Sequence, residues 1–154
     1  MPGTSDAMQR WNPVVGRWRT TGVVLDEQGR PTIEVHGSDE YEWMAGGHWL
    51  VHHVDVMMGE QRTQALELIG DHDPRTDTYA MRAFDASGDF SAMTAHPHAD
   101  GSWLFAGPAM RSTLWPAADH SSMSALWERE LDTGRWIPWM RMSFAPRPDA
   151  GFGL

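Results

Sequence analysis

Turn-forming residues recur along this chain at close and regular intervals, and this spacing narrows the folds that it can adopt. The segments between the turns are roughly 6–12 residues long and rich in Val, Thr, Trp, Met and Phe, which is typical of an all-β sandwich or barrel. The turn signals are DEQGR at 26–30, AGG at 45–47, GE at 59–60, DPRTD at 73–77, DASGD at 85–89, ADGS at 99–102, AGP at 106–108, PAADHS at 116–121 and DTGR at 132–135.

The segments between these turns predict about ten strands. They are Gly16–Leu25, Thr32–Met44, His48–Met57, Gln61–Asp71, Thr78–Asp85, Asp89–His96, Ser102–Ala106, Ala109–Trp115, Ser122–Leu131 and Trp136–Phe144. A short helix is expected within Ser5–Trp11. An open meander of this length would leave two unpaired edges, so we predict closure into a single antiparallel up-and-down barrel.

The length of 154 residues suits one domain with one core. The predicted organisation is a lead at 1–15, a barrel domain at 16–145 and a frayed tail at 146–154. A barrel of eight to ten strands has an interior wide enough for one small ligand.

The net charge of −9 argues against nucleic acid and anionic membrane as partners. The absence of cysteine excludes disulfides, thiolate catalysis and cysteine-based zinc sites. The first residues lack a basic segment followed by an apolar one, and no apolar run approaches a membrane span. We therefore expect a cytoplasmic protein, and we predict neither a metal nor another cofactor.

Nine tryptophans in so short a chain are unusual beside two tyrosines and five phenylalanines. Most should fill the core, but a tryptophan also offers a flat face and one N–H donor to a ring-bearing ligand. The side chains expected to contact a ligand are Trp43, Val54, Tyr79, Trp103, Arg111 and Trp127.

The stretch from Leu50 to Gly70 predicts a hairpin around a two-residue turn, with Gly59 at the first central position. Met58 then faces Gln61, and counting back places His52 opposite Glu67. The face that carries this pair is mainly apolar, so we expect it to line the barrel interior. With the faces reversed, His53 and Asp55 would line the interior instead.

Three interpretations of the His52–Glu67 pair stay open. The two side chains can satisfy each other as a structural pair, hydrogen-bond a ligand, or act in catalysis, with Glu67 orienting His52 as a general base. A buried carboxylate needs a partner, so pairing is expected if both side chains point inward.

Other ionisable residues have less specific patterns. His96 and His98 are spaced as metal ligands can be, but Pro97 and the following turn favour a solvated loop tip. Arg111 is a candidate to hold a ligand carboxylate or enolate, or else to extend to the surface.

The pair Gly16-x-Trp18 in VVGRWRTTG resembles the opening of lipocalin-like (calycin) barrels. That resemblance implies a structural role for Trp18, which would plug one end, and for Arg141 in WMRMSF, which would pack across it. The resemblance widens to a bacterial family of such barrel domains of unknown function. It is carried by VVGRWRTTG, YEWMAGGHWLVHHVDVMMG, ALELIGDHDP, AFDASGD and LWERELDTGRWIPWM.

These resemblances imply a barrel like those of lipocalins and fatty-acid-binding proteins, without an established activity. The early Gly-x-Trp is also distantly similar to nitrobindin-like haem barrels, although no equivalent of their axial histidine is assigned.

The function predicted from the sequence is binding of a small, largely apolar, cyclic or aromatic ligand inside the barrel. The alternative is a cofactor-independent isomerase, cyclase or lyase in which His52 moves a proton and Arg111, Tyr41 or Tyr79 stabilises negative charge. A purely structural or interaction module is the third class, and a homodimer is left open.

Overall fold

The computed structural model of the protein describes residues 5–148. It contains one short helix, α1 at Asp6–Gln9, followed by ten strands. The strands are β1 Gly16–Leu25, β2 Pro31–Trp43, β3 Leu50–Met58, β4 Gln61–Asp73, β5 Thr78–Asp85, β6 Phe90–Pro97, β7 Trp103–Gly107, β8 Met110–Pro116, β9 Met123–Glu130 and β10 Trp136–Pro146.

Each strand pairs in antiparallel fashion with the next along the chain, and β1 pairs with β10 to close the barrel. Closure leaves no unpaired strand edge, which is the reason a meander of this length closes. The predicted all-β, ten-stranded antiparallel barrel is confirmed. β10 ends one residue beyond the predicted domain boundary at 145, and the predicted tail at 146–154 lies mostly outside the described residues.

The hairpin of β3 and β4 has the register predicted from its turn. Met58 pairs with Gln61 and His52 pairs with Glu67. Gly59 has a φ of 62°, a left-handed conformation that suits glycine at the first central position of this turn. A two-residue turn fixes the register of the whole hairpin, which is why the sequence predicts it correctly.

The segment before β1 closes one end of the barrel. Trp11 is fully buried and stacks on Trp103, with 3.7 Å between ring centroids. The Trp18 Nε1 atom donates a hydrogen bond of 2.9 Å to the Val14 carbonyl, and the Tyr79 hydroxyl donates to the Ala7 carbonyl. These contacts tie the lead to the barrel wall.

We call the interior next to this lead the plugged half. Its inward side chains, all buried, are Leu50, Ile69, Tyr79, Ala95, Trp103 and Leu114. The open half is the other end of the interior, where the β3–β4 turn at Gly59 lies. Its half-buried inward side chains include Val54, Met58, Ala65, Ala83, Met93, Met110, Trp127 and Arg129.

Exposure of the inward side chains rises from the plugged half to the open half on one side of the barrel. On β6, Ala95 is 0% exposed, Met93 is half-buried and Ser91 is exposed. The wall made by β2 and β3 is better covered, since Val35 and Val56 are buried while Val54 and Met58 are half-buried. The opening is therefore one-sided. Within residues 5–148, no helix has the length and apolar character to span a bilayer.

Candidate functional site: a buried histidine between two carboxylates

Three neighbouring strands bring ionisable side chains together at the boundary between the two halves. Asp39 lies on β2, His52 on β3 and Glu67 on β4. His52 directly faces Glu67 on one side and Tyr41 on the other, while Asp39 is a diagonal neighbour. Strand alternation keeps these side chains on one face, the inner one.

The imidazole of His52 is held at both ring nitrogens. Its Nε2 atom lies 2.6 Å from Asp39 Oδ1, and its Nδ1 atom lies 2.9 Å from Glu67 Oε1. The Thr20 hydroxyl donates a hydrogen bond to the other oxygen of Asp39. The Tyr41 ring stacks on the imidazole at a centroid distance of 3.9 Å. An ionised carboxylate can only accept a hydrogen bond, so with both carboxyl groups ionised each ring nitrogen of His52 carries a proton and donates it.

The charge state of His52 follows from these contacts. Burial by itself lowers the pKa of His52, but the hydrogen bonds to Asp39 and Glu67, together with their charges, outweigh burial and raise the pKa to about 9. Burial raises the pKa of Tyr41 well above its usual value of 10, and the charges of Asp39 and Glu67 add to this. At neutral pH the imidazole is a cation and the phenol is neutral.

An imidazolium with both N–H groups engaged has no lone pair with which to accept a proton. His52 can act as a general base only after it loses one of these protons. The predicted pairing of His52 with Glu67 is present, and the geometry favours a structural pair; the catalytic roles of His52 and Glu67 stay predictions.

Asp39 is the member of the site that sequence reasoning missed. The signal was present, since Val35, Gly37, Asp39, Tyr41 and Trp43 alternate along β2. It was hidden because Glu40 and Glu42 interleave with this row, and because β2 joins β3 through a loop whose register is not fixed by a two-residue turn.

The other side chains predicted to contact a ligand divide between the two halves. Val54 and Trp127 are half-buried in the open half, and Trp43 packs partly buried against the core. Tyr79 and Trp103 are 1% and 2% exposed because the lead covers them. Trp11 of the lead packs against both rings, so the lead occupies the space inside the barrel that a ligand would need to reach them.

Arg111 and Arg141 lie outside the barrel wall, and both expectations about them need correction. Arg111 Nε donates a hydrogen bond of 3.0 Å to Glu128, and its guanidinium lies 4.2 Å from the Trp136 ring centroid. It therefore does not line the interior. Arg141 is exposed and pairs with Val23, so the expected packing across the buried Trp18 does not occur.

His96, which lies in β6, and His98, in the loop that follows, both bond within the protein. His96 Nδ1 lies 3.1 Å from the Asp77 carbonyl, and His98 Nδ1 lies 3.1 Å from Ser102 Oγ. Across the described part of the chain, no group of three or more His, Asp or Glu side chains is arranged to hold a metal ion.

Surface concavities also occur on the outside of the barrel. One of about 480 Å³ is lined by residues that include Arg19, Trp115 and Ser143. A second of about 480 Å³ lies beside the lead, next to Arg10, Asp77 and other residues of that end. Neither contains the histidine site, and neither offers a comparable set of inward polar groups.

The outer face also carries apolar side chains. Leu66, Phe84 and Phe90 lie opposite one another on three successive strands and are 39%, 46% and 59% exposed. This row is compatible with the homodimer that the sequence left open, which stays a prediction.

The fold and the site define a closed ten-stranded antiparallel barrel with a buried polar cluster. Comparison with known families identifies it further: the chain belongs to the family described as "Protein of unknown function (DUF1579)", whose profile matches residues 5–109. No curated protein matches the chain.

The solved structures that are similar to this chain include the following two. Rv2717c from M. tuberculosis has a TM-score of 0.66 and 11% sequence identity, over 94% of this chain and 99% of that chain. A protein of unknown function from the DUF3598 family of Nostoc punctiforme has a TM-score of 0.46 and 13% identity, over 88% of this chain and 48% of that chain. The first likeness supports the fold alone, and the second is too weak to support an argument. The distant similarity to nitrobindin-like haem barrels stays a prediction.

Proposed function

We propose that this protein binds a small, largely apolar, cyclic or aromatic ligand in the open half of its barrel. The observation that carries the proposal is the one-sided rise in exposure of inward side chains, from Ala95 to Met93 and Ser91 on β6. Partly exposed apolar side chains on the inner face of a barrel are of the kind that line ligand sites.

Two tryptophans give this wall a surface suited to a ring. Trp127 and Trp139 are both half-buried and lie edge to face, with 6.3 Å between ring centroids. Trp139 stands at the irregularity where β10 shifts register between Pro138 and Met140. Bulges of this kind redirect side chains, often beside functional sites.

Titration of the protein with neutral aromatic and alicyclic compounds tests this proposal, with tryptophan fluorescence and thermal shift as readouts. The Trp127→Leu variant should weaken binding by at least about tenfold, since large aromatic side chains dominate binding energy. Trp115→Leu is the matched control, because Trp115 is 44% exposed on the outer face. Absence of any binding compound, or equal weakening in both variants, would contradict the proposal.

A cofactor-independent isomerase, cyclase or lyase is a second candidate, favoured by the cluster around His52. The Tyr41 hydroxyl makes no hydrogen bond within residues 5–148, so it is free to bond a substrate oxygen. The Tyr79 hydroxyl is not free in this way, since it donates a hydrogen bond to the Ala7 carbonyl.

Incubation of each binding compound with the protein, followed by NMR of the small molecule, separates binding from catalysis. An enzyme should convert the compound, and Tyr41→Phe should keep binding while it slows conversion about 100-fold or more, the size of an oxyanion-donor effect. Recovery of every compound unchanged would remove this candidate and leave the binding proposal intact.

A further inference from the structure

Two buried polar atoms near the open half have no hydrogen-bond partner in the described chain. They are Ser112 Oγ on β8 and Arg129 Nε on β9. Ser112 is 1% exposed. Arg129 is half-buried, and within residues 5–148 its guanidinium forms neither an ion pair nor a hydrogen bond. Buried donors are ordinarily satisfied, so two together point to a missing partner.

The two side chains are neighbours on the inner face. Ser112 pairs with Trp127, and Met110 pairs with Arg129, so Ser112 and Arg129 are diagonal neighbours across the strands. Their Cβ atoms are then about 7 Å apart, within reach of one small group held between them. Glu128 lies on the other face, where it binds Arg111.

Several other arginines that the structure describes have acidic partners. Arg10 pairs with Asp77, Arg30 with Asp26, Arg62 with Asp55 and Arg111 with Glu128. The inward carboxylates of Asp39 and Glu67 pair with His52, and neither forms an ion pair with Arg129. Among residues 5–148, Arg129 therefore has no acidic partner.

We infer that Arg129 and Ser112 bind the carboxylate of the ligand, whose apolar ring lies against Trp127 and Trp139. A guanidinium presents a planar fork of N–H donors that matches a carboxylate, and the serine hydroxyl adds a further donor. The natural ligand is on this basis a small aromatic or alicyclic carboxylic acid. This inference rests on the proposed function, since it uses the same half of the barrel.

Calorimetric titration with matched acids and primary amides tests the anchor. The probes are naphthoic acid with naphthamide, and indole carboxylic acid with its amide. In the unaltered protein the acids should bind about tenfold to 100-fold more tightly than the amides, the range for hydrogen bonds to a charged group. Arg129→Gln should abolish this preference, and Ser112→Ala should reduce it.

Arg141→Gln is the matched control, because Arg141 is exposed on the outer face of the adjacent strand. It should keep the preference for acids. Thermal unfolding of the ligand-free Arg129→Gln variant should show an unchanged or higher midpoint, since the substitution removes an unpaired charge from a partly buried site. A folded variant makes its loss of acid binding interpretable.

The outcomes separate the anchor from the binding function. If acids and amides bind equally well to the unaltered protein, or if Arg141→Gln removes the preference as fully as Arg129→Gln, the carboxylate anchor is wrong and the proposed function stands. If neither probe class nor any neutral compound binds, the proposed function fails and the anchor fails with it.

Discussion

The two ends of the barrel interior are built from the same strands, yet they are covered differently. In the plugged half, the lead places Trp11 and Val14 against the inward side chains, and both are fully buried. In the open half, no segment within residues 5–148 does the same for Met93 or Trp127, which stay half-buried. The lead thus completes the core at one end of the interior, and the side of the barrel around Met93 and Trp127 has no such cover within residues 5–148.

The two ends also differ in their polar groups. The plugged half is apolar, and its hydroxyl at Tyr79 is satisfied by the lead. The boundary and the open half hold His52, Glu67 and Arg129. Charged side chains are costly to bury, so their concentration toward the open end supports the proposal that a ligand binds there.

The largest expected effect tests the plug. Trp11→Ala should lower the free energy of unfolding by about 3–5 kcal/mol, because it removes a fully buried ring stacked on Trp103 and leaves a cavity. Urea unfolding followed by circular dichroism measures this. A loss below about 1 kcal/mol would show that the lead does not complete the core.

The second-largest effect is a change in the free energy of unfolding with pH, which tests the buried cluster. His52 holds its proton more tightly in the folded protein, with a pKa of about 9, than in the unfolded chain, near the ordinary 6.5. Its protonation therefore stabilises the fold fully below about pH 6.5, and this contribution declines until it is lost above about pH 9, in total roughly 3 kcal/mol.

Urea unfolding between pH 6 and pH 10 tests this expectation, in steps of about one unit. His52→Gln should flatten the decline, whereas His53→Gln should keep it, because His53 is exposed on the outer face of the same strand. A decline of equal size in both variants would place its origin elsewhere.

A smaller effect tests the open half. Without ligand, Trp127→Ala should lower the free energy of unfolding by about 1 kcal/mol, near the average for a point substitution and well below the effect at Trp11. The reason is that Trp127 is only partly covered. Equal losses at Trp127 and Trp11 would mean that the two halves are packed alike.

The smallest effect tests the placement of Arg141. Arg141→Ala should change the free energy of unfolding by no more than about 0.5 kcal/mol, since the side chain is exposed on the outer face. Trp18 carries the structural role at that end without it, through its buried ring and its hydrogen bond to Val14. A loss of several kcal/mol in the free energy of unfolding would instead support the predicted packing of Arg141 across Trp18.

Local patterns in the sequence were enough to predict the strands and the pairing of His52 with Glu67. Alternation decides which residues share a face, and the turn at Gly59 fixes the register of β3 against β4. The same alternation places Arg141 on the outer face of β10, because its neighbours Met140 and Met142 point inward. Its predicted contact with Trp18 came from the resemblance to other barrels and was wrong.

The sequence by itself therefore determined a ten-stranded antiparallel barrel and the histidine–glutamate pair, because both follow from interactions between neighbours in the chain. Only the tertiary structure decided that Asp39 joins His52, that the lead fills one end, and that Ser112 and Arg129 lie together without partners. These features depend on contacts between separate strands and the lead in the closed barrel, and local sequence patterns do not predict such contacts.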